Sequence, residues 1–362
     1  MDALQKARNA INEIDAQMAE LFEQRMVASR QVAEYKQAHG LPVFDAIREA
    51  QVLENNAKRI ADDEIRSYYI PFLKSTMKLS RKYQHQLISG MKVAYSGVEG
   101  AFAHIAAGKI FPDGHKVPYG DFESAYEAVV NGDCDCAVLP IENSYAGEVG
   151  QVLDLMYTGS LYVNGVYDLN VSQNLIGVSG ATLSDVREVV SHPQALMQCH
   201  DFIRQHHMEE IQASNTAVAA QKVAEMNDKS VAAIASKETA ALYGLTVIEK
   251  DINGSNFNTT RFAVFSRAEN MDKAAGHHFL LLFTVSHVAG ALAKAINVIS
   301  DHGFNMKVLR SRPVKDSNWQ YFFYVEAEGN IHAADGQAML AELEKYCDKL
   351  KVVGNYSGQM IL

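Results

Sequence analysis

From Asp2 to about His39, apolar residues return at helical intervals: Leu4, Ala7, Ile11, Ile14, Met18, Leu21, Ala28 and Val32. No Pro or Gly interrupts them. This spacing predicts one long helix. The stretch "HGLPVF" breaks it, Asp45 is placed to cap a second helix, and a third is predicted from about Ile65 to Ser89, where Gly90 stops it. Pro71 is read as early in that third helix, where a missing backbone N–H is best tolerated. Residues 1–90 therefore read as all-helical.

At Met91 the pattern changes to short apolar runs alternating with amphipathic stretches. The runs are "MKVAYS", "CAVLPIE", "NLIGVS", "EVVSH", "EEIQAS", "VAAIAS", "LTVIEK" and "RFAVFS". They predict an α/β region over 91–267. The crossover "VSQNLIGVSG" suggests two lobes with a cleft between them. A charged connector leads to a last region, 277–362, which reads strand, helix, strand, strand, helix, strand. That βαββαβ order is ferredoxin-like.

Composition narrows the class. At 362 residues, 48% of them hydrophobic, the chain can bury more than one core. No apolar run reaches membrane-spanning length, and the charged, helix-periodic start lacks signal-peptide features, so a cytoplasmic protein with no membrane partner is expected. A formal charge of −10 argues against nucleic-acid binding. The four cysteines match neither a metal-ligand nor a disulfide pattern. No cofactor and no metal are expected.

Cations within the first region are unusual. Arg25 falls in the register of the apolar stripe, where a buried cation needs a counter-charge. Lys36, 11 residues on, returns to within roughly 20° of the same face and about 16 Å along the axis, so one elongated dianion would touch both. Arg8 lies roughly 25 Å away and is turned by about 100°. It would reach that ligand only from a second, antiparallel chain, which implies an intertwined dimer. Arg48 and Glu49, with Ser80 and Gln84 one turn apart, would complete the pocket. A surface helix with solvated charges fits the spacing equally well.

Taken together, Arg8, Arg25, Lys36, "DAIRE" and "SRKYQ" resemble the all-helical chorismate mutase family. The resemblance implies rearrangement of chorismate to prephenate. Arg8 and Arg25 would hold carboxylates, Lys36 and Gln84 would donate to the ether oxygen, Arg48 and Glu49 would position the substrate, and Ser80 would line the pocket.

In the α/β region, three strand ends carry polar turns. "PIENS" places Asn143 and Ser144 at the carboxyl end of a strand, where open α/β sheets bind ligands. "SHPQ" brings His192, and "ASNTAVAA" offers Ser214 or Thr216 as a helix cap. "NTTRF" would present Thr260 and Arg261 to the same cleft. Each turn is weak alone. With "GVEGAFAH", and in this order, they resemble prephenate dehydratase over about 91–267, although "GAFAH" lacks the serine usual beside the aromatic. The resemblance implies conversion of prephenate to phenylpyruvate, with Thr260 assisting departure of the ring hydroxyl. Arg261 would grip a carboxylate, and Asn143, Ser144, Ser214 and Thr216 would bind or orient.

The last region, with "GALAKAINVISDHGFNM" and "SRPV", resembles the ACT regulatory domain. The resemblance implies L-phenylalanine as effector, with Gly290, Ala291, Ser311 and Arg312 as regulatory residues. The family usually carries an acidic residue before Ser311, where this chain has Arg310. The leading reading is a bifunctional enzyme acting as a homodimer or tetramer. The alternative is a small-anion-binding regulatory protein with a silent helical domain.

Overall fold

A computed structural model describes residues 2–39, 46–254, 258–269, 277–315, 319–357 and 359–362. Residues 40–44, the expected cap Asp45, and Ser255 to Phe257 lie outside the described residues. The chain divides into two compact units, Met1–Lys92 and Val93–Leu362. No helix among the described residues is long and apolar enough to cross a membrane.

Unit one holds α1 (Ala3–Ala38), α2 (Ala46–Ala57) and α3 (Asp63–Ser89). Asp2 caps α1 by accepting from Leu4 N, and Asp62 caps α3. The start at Asp63 puts Pro71 two turns inside α3, deeper than the early position expected, so the helix lacks one interior hydrogen bond there. The stripe that predicts α1 is not covered in the single chain: Leu4, Ile11, Ile14, Met18, Leu21 and Val32 are all exposed.

From the boundary at Lys92 the chain continues through β1 (Lys92–Ser96), α4 (Phe102–Ile110), β2 (His115–Tyr119), α5 (Phe122–Asn131), β3 (Cys136–Asn143), β4 (Gly147–Glu148), α6 (Gly150–Thr158) and β5 (Tyr162–Asn170). The chain then crosses to a second lobe: β6 (Asn174–Gly177), β7 (Glu188–Ser191), α7 (Pro193–Gln198), α8 (His200–Gln205), β8 (Glu209–Gln212), α9 (Thr216–Met226), β9 (Val231–Ala235), α10 (Lys237–Leu242) and β10 (Thr246–Glu249). It returns as β11 (Thr259–Ser266), which lies between β3 and β5 and antiparallel to both. The second lobe's sheet runs β10-β6-β9-β7-β8. The lobes are joined near 171–173, where Val171 N donates to Asn258 O at 2.7 Å.

The remaining elements are β12 (His278–Thr284), α11 (Ala291–Asp301), β13 (Met306–Pro313), β14 (Tyr321–Glu328), α12 (Ala334–Leu343), β15 (Lys349–Tyr356) and β16 (Gln359–Ile361). Strand order β13-β14-β12-β15 is the ferredoxin-like arrangement. This sheet continues into that of the first lobe, because β15 meets β5 at Gly354 and Val163, and the short β16, which the pattern did not predict, also pairs with β5. A Cβ at Gly354 would overlap the Val163 carbonyl, so only glycine lets the two backbones meet. Leu280, Leu282, Phe322 and Tyr324 share one core with Leu139, Met156, Val163 and Phe265.

Candidate active sites

In unit one, α1 and α3 face each other through polar groups. Arg25 donates from Nη1 to Ser80 Oγ, and to Thr76 O at 3.4 Å. Burial lowers the Arg25 pKa from its ordinary value. Ser80 and Gln84 lie one turn apart on α3 and are both buried. Among the described residues Gln84 Oε1 has no partner, a costly state that a ligand donor would relieve. Across α2 and α3, Arg81 pairs with Glu49. Lys36 is half-buried on α1, while Arg48 and Arg8 are exposed. The single chain thus brings Arg25, Ser80 and Gln84 together and leaves Arg8 at the far end of α1.

In unit two, the register explains why polar residues precede the apolar part of β11. Thr260 pairs with Asn143 across β11 and β3, so the entrance of one strand sits at the exit of the other. Asn143 Oδ1 accepts from Tyr145 N at 3.0 Å and Ala146 N at 2.9 Å. Its Nδ2 therefore points outward and donates to Thr260 Oγ1 and Asn258 Oδ1, each at 2.9 Å. Since the amide occupies a lone pair of the Thr260 oxygen, the hydroxyl proton is available to a ligand.

These groups line an interlobe cavity of about 300 Å³ with Phe102, Phe122, His192, Ser214 and Thr216. Among its described lining residues there is no Lys or Arg. The start of α9, an 11-residue helix, borders it, and a helix N-terminus favours an anion. The α9 cap is Asn215, whose Oδ1 accepts from Val218 N at 2.8 Å, and neither Ser214 nor Thr216 as expected. Asn215 wins because it sits at the extended position that precedes the first helical residue. The two neighbouring hydroxyls are left to the cavity. His192 caps α7 through Nδ1, accepting from Gln194 N at 3.2 Å, and burial lowers its pKa.

Arg261 is placed elsewhere. Successive strand residues point to opposite faces, so its guanidinium lies behind the cleft, 3.2 Å from Glu326, 3.5 Å from Glu142 and 3.5 Å from Asp168. Burial opposes the Arg261 charge, but Glu326, Asp168 and Glu142 outweigh it and raise the pKa. Ser144 also leaves the cleft: its Oγ accepts from Thr259 N at 2.9 Å and ties the strand ends together.

Comparison with known proteins agrees with this division. A family model for chorismate mutase type II matches residues 7–85, and one for prephenate dehydratase matches 93–270. The bifunctional chorismate mutase/prephenate dehydratase of Enterobacter agglomerans is 31% identical, covering 98% of this chain and 96% of the relative. The chain belongs to that family.

As a bifunctional chorismate mutase/prephenate dehydratase it serves phenylalanine biosynthesis. Among solved structures, the prephenate dehydratase of Arthrobacter aurescens in complex with L-Phe has a TM-score of 0.68 at 27% identity, over 74% of this chain and 90% of that one. A protein described as a quorum-quenching acylase, GqqA, also reaches 0.68 at 30% identity, over 73% and 96%. The bifunctional family carries an α/β dehydratase portion in which the cleft described above falls.

In the ferredoxin-like segment, Gly290 adopts φ 83° at the start of α11, a conformation that favours glycine, and a Cβ there would meet nothing within 4 Å. Ala291 is the first residue of α11. Next to them lies a cavity of about 640 Å³ lined by Val288, Ala289, Leu292, Trp319 and Tyr321. Ser311 and Arg312 are divided by the pleat. Ser311 is exposed, whereas Arg312 reaches back to Glu148 at 2.6 Å and Asp154 at 3.1 Å. Arg310 faces the same way as Arg312 and pairs with Glu142. Sequence reasoning gave no role to Asn258, Gln194 and Gln173, uncharged residues inside quoted motifs, or to Gln198 just beyond "SHPQ"; only the tertiary structure gathers them.

Proposed function

We propose that the cleft performs the dehydratase step through Thr260, with Asn143 orienting it. Prephenate must lose its ring carboxylate as CO₂ and its ring hydroxyl as water. The C–C bond electrons enter the ring as the C–O bond breaks, and a proton joins the departing oxygen. The observation that carries this reading is the Asn143 amide donating to Thr260 Oγ1 at 2.9 Å, which leaves the Thr260 O–H to donate to that oxygen. A cavity whose described lining residues include no lysine or arginine suits the reaction, since a cation on the departing carboxylate would hold the ground state back. Phe102 and Phe122 offer apolar surface to the ring, and Ser214, Thr216 and the α9 terminus would receive the side-chain carboxylate. Arg261 supports the strand from behind in this reading, and Ser144 closes its end.

Thr260→Val should lower dehydratase kcat by roughly 10²–10³, and Thr260→Ser should restore most of it, measured as phenylpyruvate formation from prephenate. An active Val variant would exclude the hydroxyl role. An acylase-like reading is not favoured, because the Thr260 hydroxyl is held by an amide and not by a histidine or carboxylate base.

For the helical segment 1–90, Arg25, Lys36, Ser80 and Gln84 from one chain and Arg8 from a second would enclose chorismate, with Arg48 and Glu49 at its rim. The uncovered apolar stripe of α1 supports a homodimer. The segment 277–362 would act as an ACT sensor of L-phenylalanine around Gly290 and Ala291, the effector seen in the Arthrobacter relative. Its Arg310 and Arg312 would transmit binding to the dehydratase segment 91–267.

A further inference from the structure

The cleft contains an amide relay whose polarity is set by the backbone. Because Tyr145 N and Ala146 N fix Asn143 Oδ1 as acceptor, Nδ2 must donate to Asn258 Oδ1. Asn258 Nδ2 then donates to Gln198 Oε1 at 2.9 Å. That same oxygen is 3.5 Å from Gln173, which must therefore present Nε2 to it. The relay ends in Gln173 Oε1, an acceptor with no partner among the described residues, on a residue only 3% exposed. None of the four amides can be turned over without setting oxygen against oxygen or N–H against N–H.

Gln173 lines the same cavity as Thr260 and stands in the interlobe crossover, its N–H given to Asn253 Oδ1 at 3.1 Å. A buried acceptor left bare is unfavourable, and a donor brought in by the substrate would satisfy it. We propose that Gln173 reads the ring hydroxyl of the substrate: Gln173 Oε1 accepts its O–H while Thr260 donates to its oxygen. This rests on the dehydratase reading of the cleft and extends it to substrate specificity. The two contacts together would require an alcohol, a group that both donates and accepts, at the carbon that loses oxygen. They would also aim a lone pair of the departing oxygen at Thr260.

The test compares two saturated-ring prephenate analogues that cannot aromatise, one with the free ring hydroxyl and one with that hydroxyl methylated, as competitive inhibitors of the full-length chain. The wild type should prefer the free alcohol by roughly tenfold to a hundredfold, because the ether leaves the buried acceptor unpaired. Gln173→Met, similar in length but without an acceptor, should bind the two within about twofold of each other. Gln173→His can keep an N–H towards Gln198 Oε1 and a second ring nitrogen as acceptor, and should keep the preference, which decides the matter if the Met variant melts early. Undiminished preference in Gln173→Met, no preference in the wild type, or its loss in Gln173→His would each overturn the assignment. Phenylpyruvate formation by the wild type is scored separately, so failure of the dehydratase reading would be told apart.

Discussion

Asn143 shows how one side chain sets the chemistry of several others. Two backbone N–H groups hold its oxygen, so its amide hydrogens are committed to Thr260 and Asn258. The Thr260 hydroxyl becomes a donor towards the cavity because its oxygen is held by an uncharged amide. His192 illustrates the opposite case. Its Nδ1 accepts from the α7 backbone, and burial lowers its pKa below 6.5. In the unfolded chain it protonates first as pH falls, so the folded state loses stability from about pH 6.5 downwards. His192→Asn keeps a capping oxygen and removes the titration. Between pH 7 and the depressed pKa, thermal unfolding should therefore show a shallower loss of Tm in the variant. Equal slopes would remove His192 as a source of acid sensitivity.

At the scale of elements, β3 and β11 carry different tasks on their two faces. One face gives Asn143 and Thr260 to the cleft, and the other gives Glu142 and Arg261 to Glu326, Arg310 and Asp168. The ferredoxin-like sheet is thus ion-paired to the residues adjacent in sequence to the cleft pair. Glu326 is 2% exposed, accepts from Tyr356 Oη at 2.7 Å, and relies on Arg261 for its charge balance. Arg261→Met should destabilise unit two by about 3–5 kcal/mol, the usual cost of stranding a buried charge. Adding Glu326→Gln should recover much of that loss in a denaturant titration. A neutral effect of Arg261→Met would show the network to be solvated. Glycine matters at the same junction, where Gly354 admits the Val163 backbone and lets the two sheets become one.

At the scale of the whole molecule, the chain separates into two units, and the first leaves its most regular apolar stripe in solvent. If two copies cover that stripe, each mutase site would take Arg8 from one chain and Arg25 from the other. Arg8→Ala and Arg25→Ala chains, each inactive alone, should regain about a quarter of wild-type mutase turnover after unfolding and refolding as an equimolar mixture, because half of the dimers are hybrids with one intact site. No recovery on mixing would place both arginines in one chain's site or in none. The dehydratase activity of both variants should remain, which checks that the chains refold.

The sequence by itself determined the element types, the two-lobed α/β plan and the family, because periodicity and motif order are local properties of the chain. It also placed Thr260 and Asn143 at strand ends, where ligand sites form. Which way neighbouring side chains point was decided by the tertiary structure. A one-residue step in a strand turned Arg261 away from Thr260 and Ser311 away from Arg312, and that depends on which face each sheet buries. The choice of Asn215 over its hydroxyl neighbours as the α9 cap, and the gathering of Gln173, Gln198 and Asn258 into one relay, likewise needed the strands in register. Uncharged amides carry no periodic signal, so only their assembled geometry distinguishes them from surface residues.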